Sequence, residues 1–201
     1  MSIVEGLLDV FHPPSCAACG RLGAEPFCAT CAEALLPAEP FEVAGVAKAV
    51  AVYTFGGPIA EAIHHFKYHD RPDLGRPLGR SMRPALERFA PFDLVVAMPP
   101  SRGRLVARGY DPARELVRGL SLRPDIDALL RVTEPPAQVG LDRDKRLANL
   151  TGAFAADGPR VRGRNVLLVD DVVTTGATAE AATAALSAAA SVQLLALAHT
   201  P

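Results

Sequence analysis

The stretch that most restricts the fold is Val166 to Thr178, VLLVDDVVTTGAT. Four apolar residues, Val166 to Val169, run into two adjacent carboxylates, Asp170 and Asp171. Val172 and Val173 follow, and then a turn of Thr174, Thr175, Gly176, Ala177 and Thr178 opens an alanine-rich segment. Apolar residues without alternation describe a strand buried on both faces, which belongs in a parallel sheet covered by helices. Ligands of such open sheets sit beyond the carboxyl ends of the strands, where the two acids emerge. A glycine flanked by threonines at a helix start offers backbone N–H groups, hydroxyl donors and the positive end of the helix dipole, all favourable to a phosphate. Carboxylates do not bind phosphate, but they accept hydrogen bonds from sugar hydroxyls or reach a magnesium ion that neutralises the anion. Together these features point to a ligand with both hydroxyls and a phosphate, such as ribose 5-phosphate. The plain structural alternative is a capped strand-to-helix turn with two solvated aspartates. The GxxxxGK pattern of a triphosphate loop and the GxGxxG of a dinucleotide fold are both absent.

The rest of the chain continues the alternation of strand and helix. Strands are expected at Lys48 to Phe55, Asp93 to Met98, Ile126 to Val132, Asn165 to Asp171 and Val192 to Ala198. Helices are expected from Pro58 to about Tyr68, from about Leu74 to Phe89, from Asp111–Pro112 onward, and from the glycine turn to about Ala190. An arginine-rich loop is expected from Pro99 to Tyr110, and a short polar helix around Asp142 to Leu150 within an otherwise irregular stretch from Thr133 to Gly158. The opening segment, Met1 to Phe11, suits a short amphipathic helix through Ile3, Val4, Leu7, Leu8 and Val10, and carries no export signal. The expected architecture is α/β, a doubly wound, mostly parallel sheet.

All four cysteines fall within one short stretch, as Cys16, Cys19, Cys28 and Cys31: two CxxC pairs. Two thiolate knuckles meeting head to head supply the tetrahedral set of soft ligands that a structural zinc ion prefers, and a cytosolic setting disfavours two disulfides. Such a module is too small to fold on apolar burial alone, so metal binding would supply its folding energy. His12 is a loop residue in this reading, because four thiolates fill the shell. Residues 1–40 are expected to form this small zinc-ribbon-like module with its linker, and residues 41–201 the main domain.

A formal charge of −1 gives no general attraction to nucleic acid or anionic lipid. Apolar content near half, with no run long enough to span a membrane, fits a cytoplasmic chain. Lysine occurs only at Lys48, Lys67 and Lys145, and arginine, the better match to phosphate oxygens, carries the remaining positive charge.

VLLVDDVVTTGAT resembles the phosphoribosyl pyrophosphate (PRPP) motif of type I phosphoribosyltransferases, and nearly the whole chain is similar to the ComF family of competence-related proteins. The resemblance extends to the four-cysteine N-terminus, to Ile63–Tyr68 ending in Phe66, Lys67 and Tyr68, and to Arg104–Tyr110. It also takes in Gln138, Leu141, Arg143, Arg146 and Asn149 through Gly152, Ala153 and Phe154. The resemblance implies a domain of the type I phosphoribosyltransferase kind that binds Mg-PRPP. Asp170 and Asp171 would hold the ribose hydroxyls, Thr174, Thr175, Gly176, Ala177 and Thr178 would wrap the 5-phosphate, and the loop with Pro99, Ser101, Arg102 and Arg104 would hold pyrophosphate. The chain departs from the family's proline–valine–proline with Ala97, Met98 and Pro99, and from its phenylalanine–asparagine–glutamine with Tyr110, Asp111 and Pro112.

Two functions are expected to compete. One is phosphoribosyl transfer with release of pyrophosphate, a pentosyl-transferring glycosyltransferase reaction in which Lys67 and Arg108 are candidates for closing the site. His64, His65 and His69 are read as belonging to a helix surface and its following loop. The other is a non-catalytic PRPP sensor or adaptor in DNA uptake, docking a protein or single-stranded DNA, with Arg102, Arg104, Arg108, Arg114 and Arg118 as a stripe for a nucleic acid backbone.

Overall fold

The computed structural model describes residues 14–133, 150 and 152–201. The expected N-terminal helix, His12, and the polar helix from Asp142, with Gln138, Leu141, Arg143, Arg146 and Asn149, lie outside the described residues, Leu150 excepted.

A parallel sheet forms the centre. Its strands are β1 (Lys48–Thr54), β2 (Leu94–Ala97), β5 (Asn165–Val173) and β6 (Ser191–His199), in the spatial order β1-β6-β5-β2. All three pairings are parallel, with Val169 opposite Leu195 and Ala97 opposite Val169. The two central strands carry the apolar runs, and Val166 to Val169 and Leu194 to Ala198 are completely buried. Each leucine buried in this way stabilises the fold by roughly 1.5–3 kcal/mol. Gln193 is buried within β6 but satisfied at both ends of its amide: Nε2 donates to Ala90 O at 3.1 Å, and Ala90 N–H donates to Oε1 at 3.0 Å.

Helices α2 (Gly57–Tyr68) and α3 (Gly75–Ser81) follow β1, α4 (Arg102–Arg108) and α5 (Pro112–Gly119) follow β2, and α7 (Ala177–Ala185) connects β5 to β6. The remaining short helices are α1 (Ala29–Glu33) and α6 (Gly158–Val161). Helices α3 and α5 cross at glycines. A Cβ on Gly79 would lie 2.2 Å from Leu116 O, and one on Gly119 would lie 2.5 Å from Arg76 O. The two backbones are therefore in direct contact.

Four expectations are corrected. The helix expected over Leu74 to Phe89 is divided into α3 and a 3-10 segment at Arg83–Arg88, because Pro84 has no N–H to continue the ladder. The strand expected at Ile126 to Val132 is β3 (Leu129–Arg131), which pairs antiparallel with β4 (Phe154–Ala156) in a separate two-stranded sheet. The alanine-rich helix stops at Ala185 rather than near Ala190. The arginine-rich loop from Pro99 to Tyr110 is mostly helix α4. Ser101 caps it by accepting from Arg104 N–H, and Gly109, at φ 77°, ends it in the left-handed conformation that glycine adopts without strain.

The cysteine segment rests on the main body. Ala17 joins the main core at 1% exposure. Arg71 Nη2 donates to Ser15 Oγ at 3.1 Å, and Arg80 pairs with Glu25 at 2.6 Å. The segment read as a linker adds to the sheet edge: Thr54 N–H donates to Leu36 O, Ala38 N–H donates to Val52 O, and Pro37 bridges Tyr53 in antiparallel fashion.

Candidate phosphate cleft and four-cysteine centre

Strand β5 runs to Val173, two residues beyond the expected end at Asp171, so the acids lie within the strand rather than at its last positions and the turn begins at Thr174. Gly176 sits at φ 78° and ψ −9° as the N-cap of α7, and no side chain caps that helix start. Thr175 Oγ1 is 3.5 Å from Ala177 N, a weak contact. A helix start left in this state keeps its first amides for a ligand.

Above this end of the sheet lies a cleft of about 660 Å³, within the range of small-molecule sites. Asp170, Asp171, Thr174 and Thr178 line it, together with Lys67, Pro99, Ser101, Arg104 and Arg108. Thr175, Gly176 and Ala177 shape the turn without being among the lining residues, and Arg102, two positions before Arg104 in α4, is not among them either. Phe55, Glu61 and Arg131, to which the sequence pattern gives no role, also line the cleft, as does Asp111, which the sequence marks as a helix start and a departure from the family pattern. Arg131 arrives from the two-stranded β3–β4 sheet, with its guanidinium 5.4 Å from the centre of the Phe154 ring. Only its tertiary position reveals it.

Four cationic side chains (Lys67, Arg104, Arg108, Arg131) and four acidic ones (Glu61, Asp111, Asp170, Asp171) line this space. Such a balance suits an anion that arrives with a metal ion and hydroxyls better than a bare polyanion. Lys67 Nζ pairs with Asp171 at 2.9 Å, with side-chain exposures of only 18% and 14%. Arg108 Nε donates to Lys67 O at 2.8 Å, and its guanidinium lies 5.7 Å from the Tyr68 ring centre. Arg108 thus ties the end of α2 to α4.

Burial, with the neighbouring Asp171 carboxylate, pushes Asp170 up to about 7; Lys67 and the Asp171 N–H, which donates to Asp170 Oδ1 at 2.8 Å, act in the opposite direction. Burial also raises Asp111, whose Oδ1 accepts from Arg114 N–H and whose Oδ2 lies 2.9 Å from Arg114 Nε. Tyr110, in the family's phenylalanine position, packs its ring 5.6 Å from that of Phe66. Its hydroxyl is buried without a hydrogen-bond partner among the described residues, and burial pushes it up to about 12. Of the arginines read as a possible stripe, Arg114 is paired with Asp111 and Arg118 with Glu115.

The four cysteine sulfurs all lie within 4.8 Å of one another. Tetrahedral zinc–sulfur bonds of about 2.3 Å place sulfurs ~3.8 Å apart, and Cys19 Sγ and Cys28 Sγ are 3.8 Å apart. The cluster can therefore hold a metal ion such as zinc. Burial alone would raise Cys16, but N–H groups of Cys19, Cys28 and Ala18 bring it down to about 6. Burial and the other three thiols push Cys31 up to about 12. Four thiols this close do not all ionise unaided, and a bound cation removes the conflict.

No protein-family model matches the chain. It is 32% identical over 164 residues to the DNA utilization protein YhgH of Escherichia coli K12, covering 75% of this chain and 71% of that protein. The chain belongs to the YhgH family. The Salmonella typhimurium member is 29% identical over 198 residues, covering 92% of this chain and 84% of the relative. Solved structures give looser likenesses. The allosteric regulatory enzyme of purine biosynthesis aligns at TM-score 0.44 and 18% identity over 67% of this chain and 30% of its own. A hypoxanthine phosphoribosyltransferase from Staphylococcus aureus aligns at 0.38 and 14% over 65% of each chain. For a member of the YhgH family, the fold class rests on the parallel strand order itself.

Proposed function

We propose that this protein binds PRPP as its magnesium salt at the end of β5 and transfers the phosphoribosyl group with release of pyrophosphate, in a cytoplasmic role linked to competence and DNA uptake. The observation that carries this reading is the convergence, in one cleft, of two acids of β5, a glycine-capped helix start with its threonines, and the arginines of α4. Thr174 and Thr178, with the amides of the turn, take the 5-phosphate. Asp170 and Asp171 accept from the ribose diol, which requires Asp171 to exchange Lys67 for a hydroxyl. Ser101 and Arg104 meet the pyrophosphate.

In the transfer, the bond from the anomeric carbon to pyrophosphate breaks with its electron pair leaving on oxygen. An acceptor lone pair forms the new bond on the opposite face. Magnesium, when bound, neutralises the departing charge. The protein's contribution is to hold the ring by its diol and phosphate while arginines stabilise the leaving group. Residues 1–40 form the metal module, with zinc on Cys16, Cys19, Cys28 and Cys31, and residues 41–201 form the phosphoribosyltransferase-like domain.

A second reading, a PRPP-sensing adaptor that docks a DNA-uptake protein or single-stranded DNA, is favoured by the name of the YhgH relatives and by the exposed Arg102 and Arg104. The two are separated by measuring Mg-PRPP-dependent pyrophosphate release over a panel of nucleobases and amines. Turnover with one acceptor supports transfer; tight PRPP binding without turnover on any of them rejects it in favour of the adaptor.

A further inference from the structure

Helix α2 is a wall shared by the cysteine segment and the cleft. Its Ile59, Ala62, Ile63 and Phe66 are buried in the core. His65 and Lys67, two positions apart, project roughly 200° apart around the helix axis, so one reaches the cysteine segment and the other the cleft. His65 Nδ1 lies 2.8 Å from Ala17 O. A carbonyl only accepts, so Nδ1 carries the proton and donates. Ala17 stands between Cys16 and Cys19 in the first knuckle. Helix α2 starts from Gly56 and Gly57, at φ 152° and 48°, with no side-chain cap; its buried side chains seat it on the core, Arg108 holds Lys67 O, and the His65 bond to Ala17 fixes its remaining, half-exposed face.

We infer that the cysteine knuckle positions Lys67: the hydrogen bond from His65 to Ala17 fixes α2 against the knuckle, and α2 in turn seats Lys67 on Asp171. His65 is then a positioning residue whose effect reaches the cleft through the helix. A metal ion on the four thiolates keeps the Ala17 carbonyl in place, so the metal centre and the cleft form one mechanical unit. The consequence for ligand affinity rests on the proposed function, whereas the placement of Lys67 does not.

The test uses the full chain with its metal content measured. The protein is acetylated with an N-hydroxysuccinimide ester, and the rate at Lys67 is compared by peptide mass spectrometry with that at exposed Lys48. His65→Ala is expected to raise the relative rate at Lys67 roughly five-fold, the scale of one lost hydrogen bond, with metal content unchanged. His65→Asn, whose amide Nδ2 takes the place of Nδ1, is expected to restore the original rate, and chelation of the unaltered protein to reproduce the rise. Because the ribose diol displaces Lys67 from Asp171, Mg-PRPP affinity is expected to rise wherever labelling of Lys67 rises, read by titration calorimetry. Unchanged labelling of Lys67 in His65→Ala at full metal content overturns the inference, as does chelation without effect if that variant fails to fold. If labelling follows His65 while the unaltered protein binds no PRPP, the positioning stands and the proposed ligand falls.

Discussion

Asp170→Asn is predicted to make the protein more stable while abolishing ligand binding. The aspartate is raised from 3.8 to about 7 in the folded protein, so folding holds it protonated where the unfolded chain would release the proton. A raised carboxylate penalises the folded state once pH exceeds the unfolded value; the penalty grows up to the folded value and stays constant above it. A shift of about three units corresponds to roughly 4 kcal/mol. Water in the open cleft reaches this half-buried side chain, so about half of that, ~2 kcal/mol, is the expected gain at pH 8. For a chain of this size that is an increase of roughly 4–8 °C in Tm. At pH 5 the gain falls to about a third, since most of the titration range lies above it. The asparagine Oδ1 retains the bond from Asp171 N–H, which keeps the comparison electrostatic. Urea unfolding of both proteins at pH 5 and pH 8 measures the difference. No stabilisation at pH 8, or an equal one at both pH values, refutes the reasoning that the cleft stores an electrostatic cost for its ligand.

Gly79→Ala places a methyl 2.2 Å from Leu116 O at the α3–α5 crossing and should cost about 1–3 kcal/mol, read as a lower urea midpoint. Tyr110→Phe removes a buried hydroxyl with no described partner and should stabilise by about 1 kcal/mol, visible in the same assay. Cys16→Ser should lower bound zinc below one equivalent by elemental analysis, and full occupancy in that variant would count against the thiolate site. Arg104→Ala should weaken Mg-PRPP about ten-fold, as expected on losing a charged hydrogen bond, and leave ribose 5-phosphate affinity unchanged in calorimetric titration.

The central sheet was legible because its two middle strands are uninterrupted apolar runs, and periodicity needs no tertiary context to reveal them. The turn from Thr174 to Thr178 was legible for a related reason: a glycine flanked by threonines after an apolar run marks a strand end and a helix start. Helix α4 was not, because Arg102, Gly103 and Arg104 make a weak helical pattern, and only the pairing of the Ser101 cap with Gly109 marks its ends. The antiparallel β3–β4 sheet was hidden because its partner strand is three residues long. Arg131 and Asp111 enter the site through long-range packing, which no local spacing encodes. The docking of His65 on Ala17 joins residues 48 positions apart, and a histidine on a half-exposed helix face gives no local sign of it.

Calorimetric titration of Mg-PRPP into the unaltered protein and into Asp170→Asn/Asp171→Asn tests the central claim most directly. Saturable one-to-one binding to the unaltered chain, lost in the folded double variant, is the predicted result. Equal affinity in both proteins would contradict it.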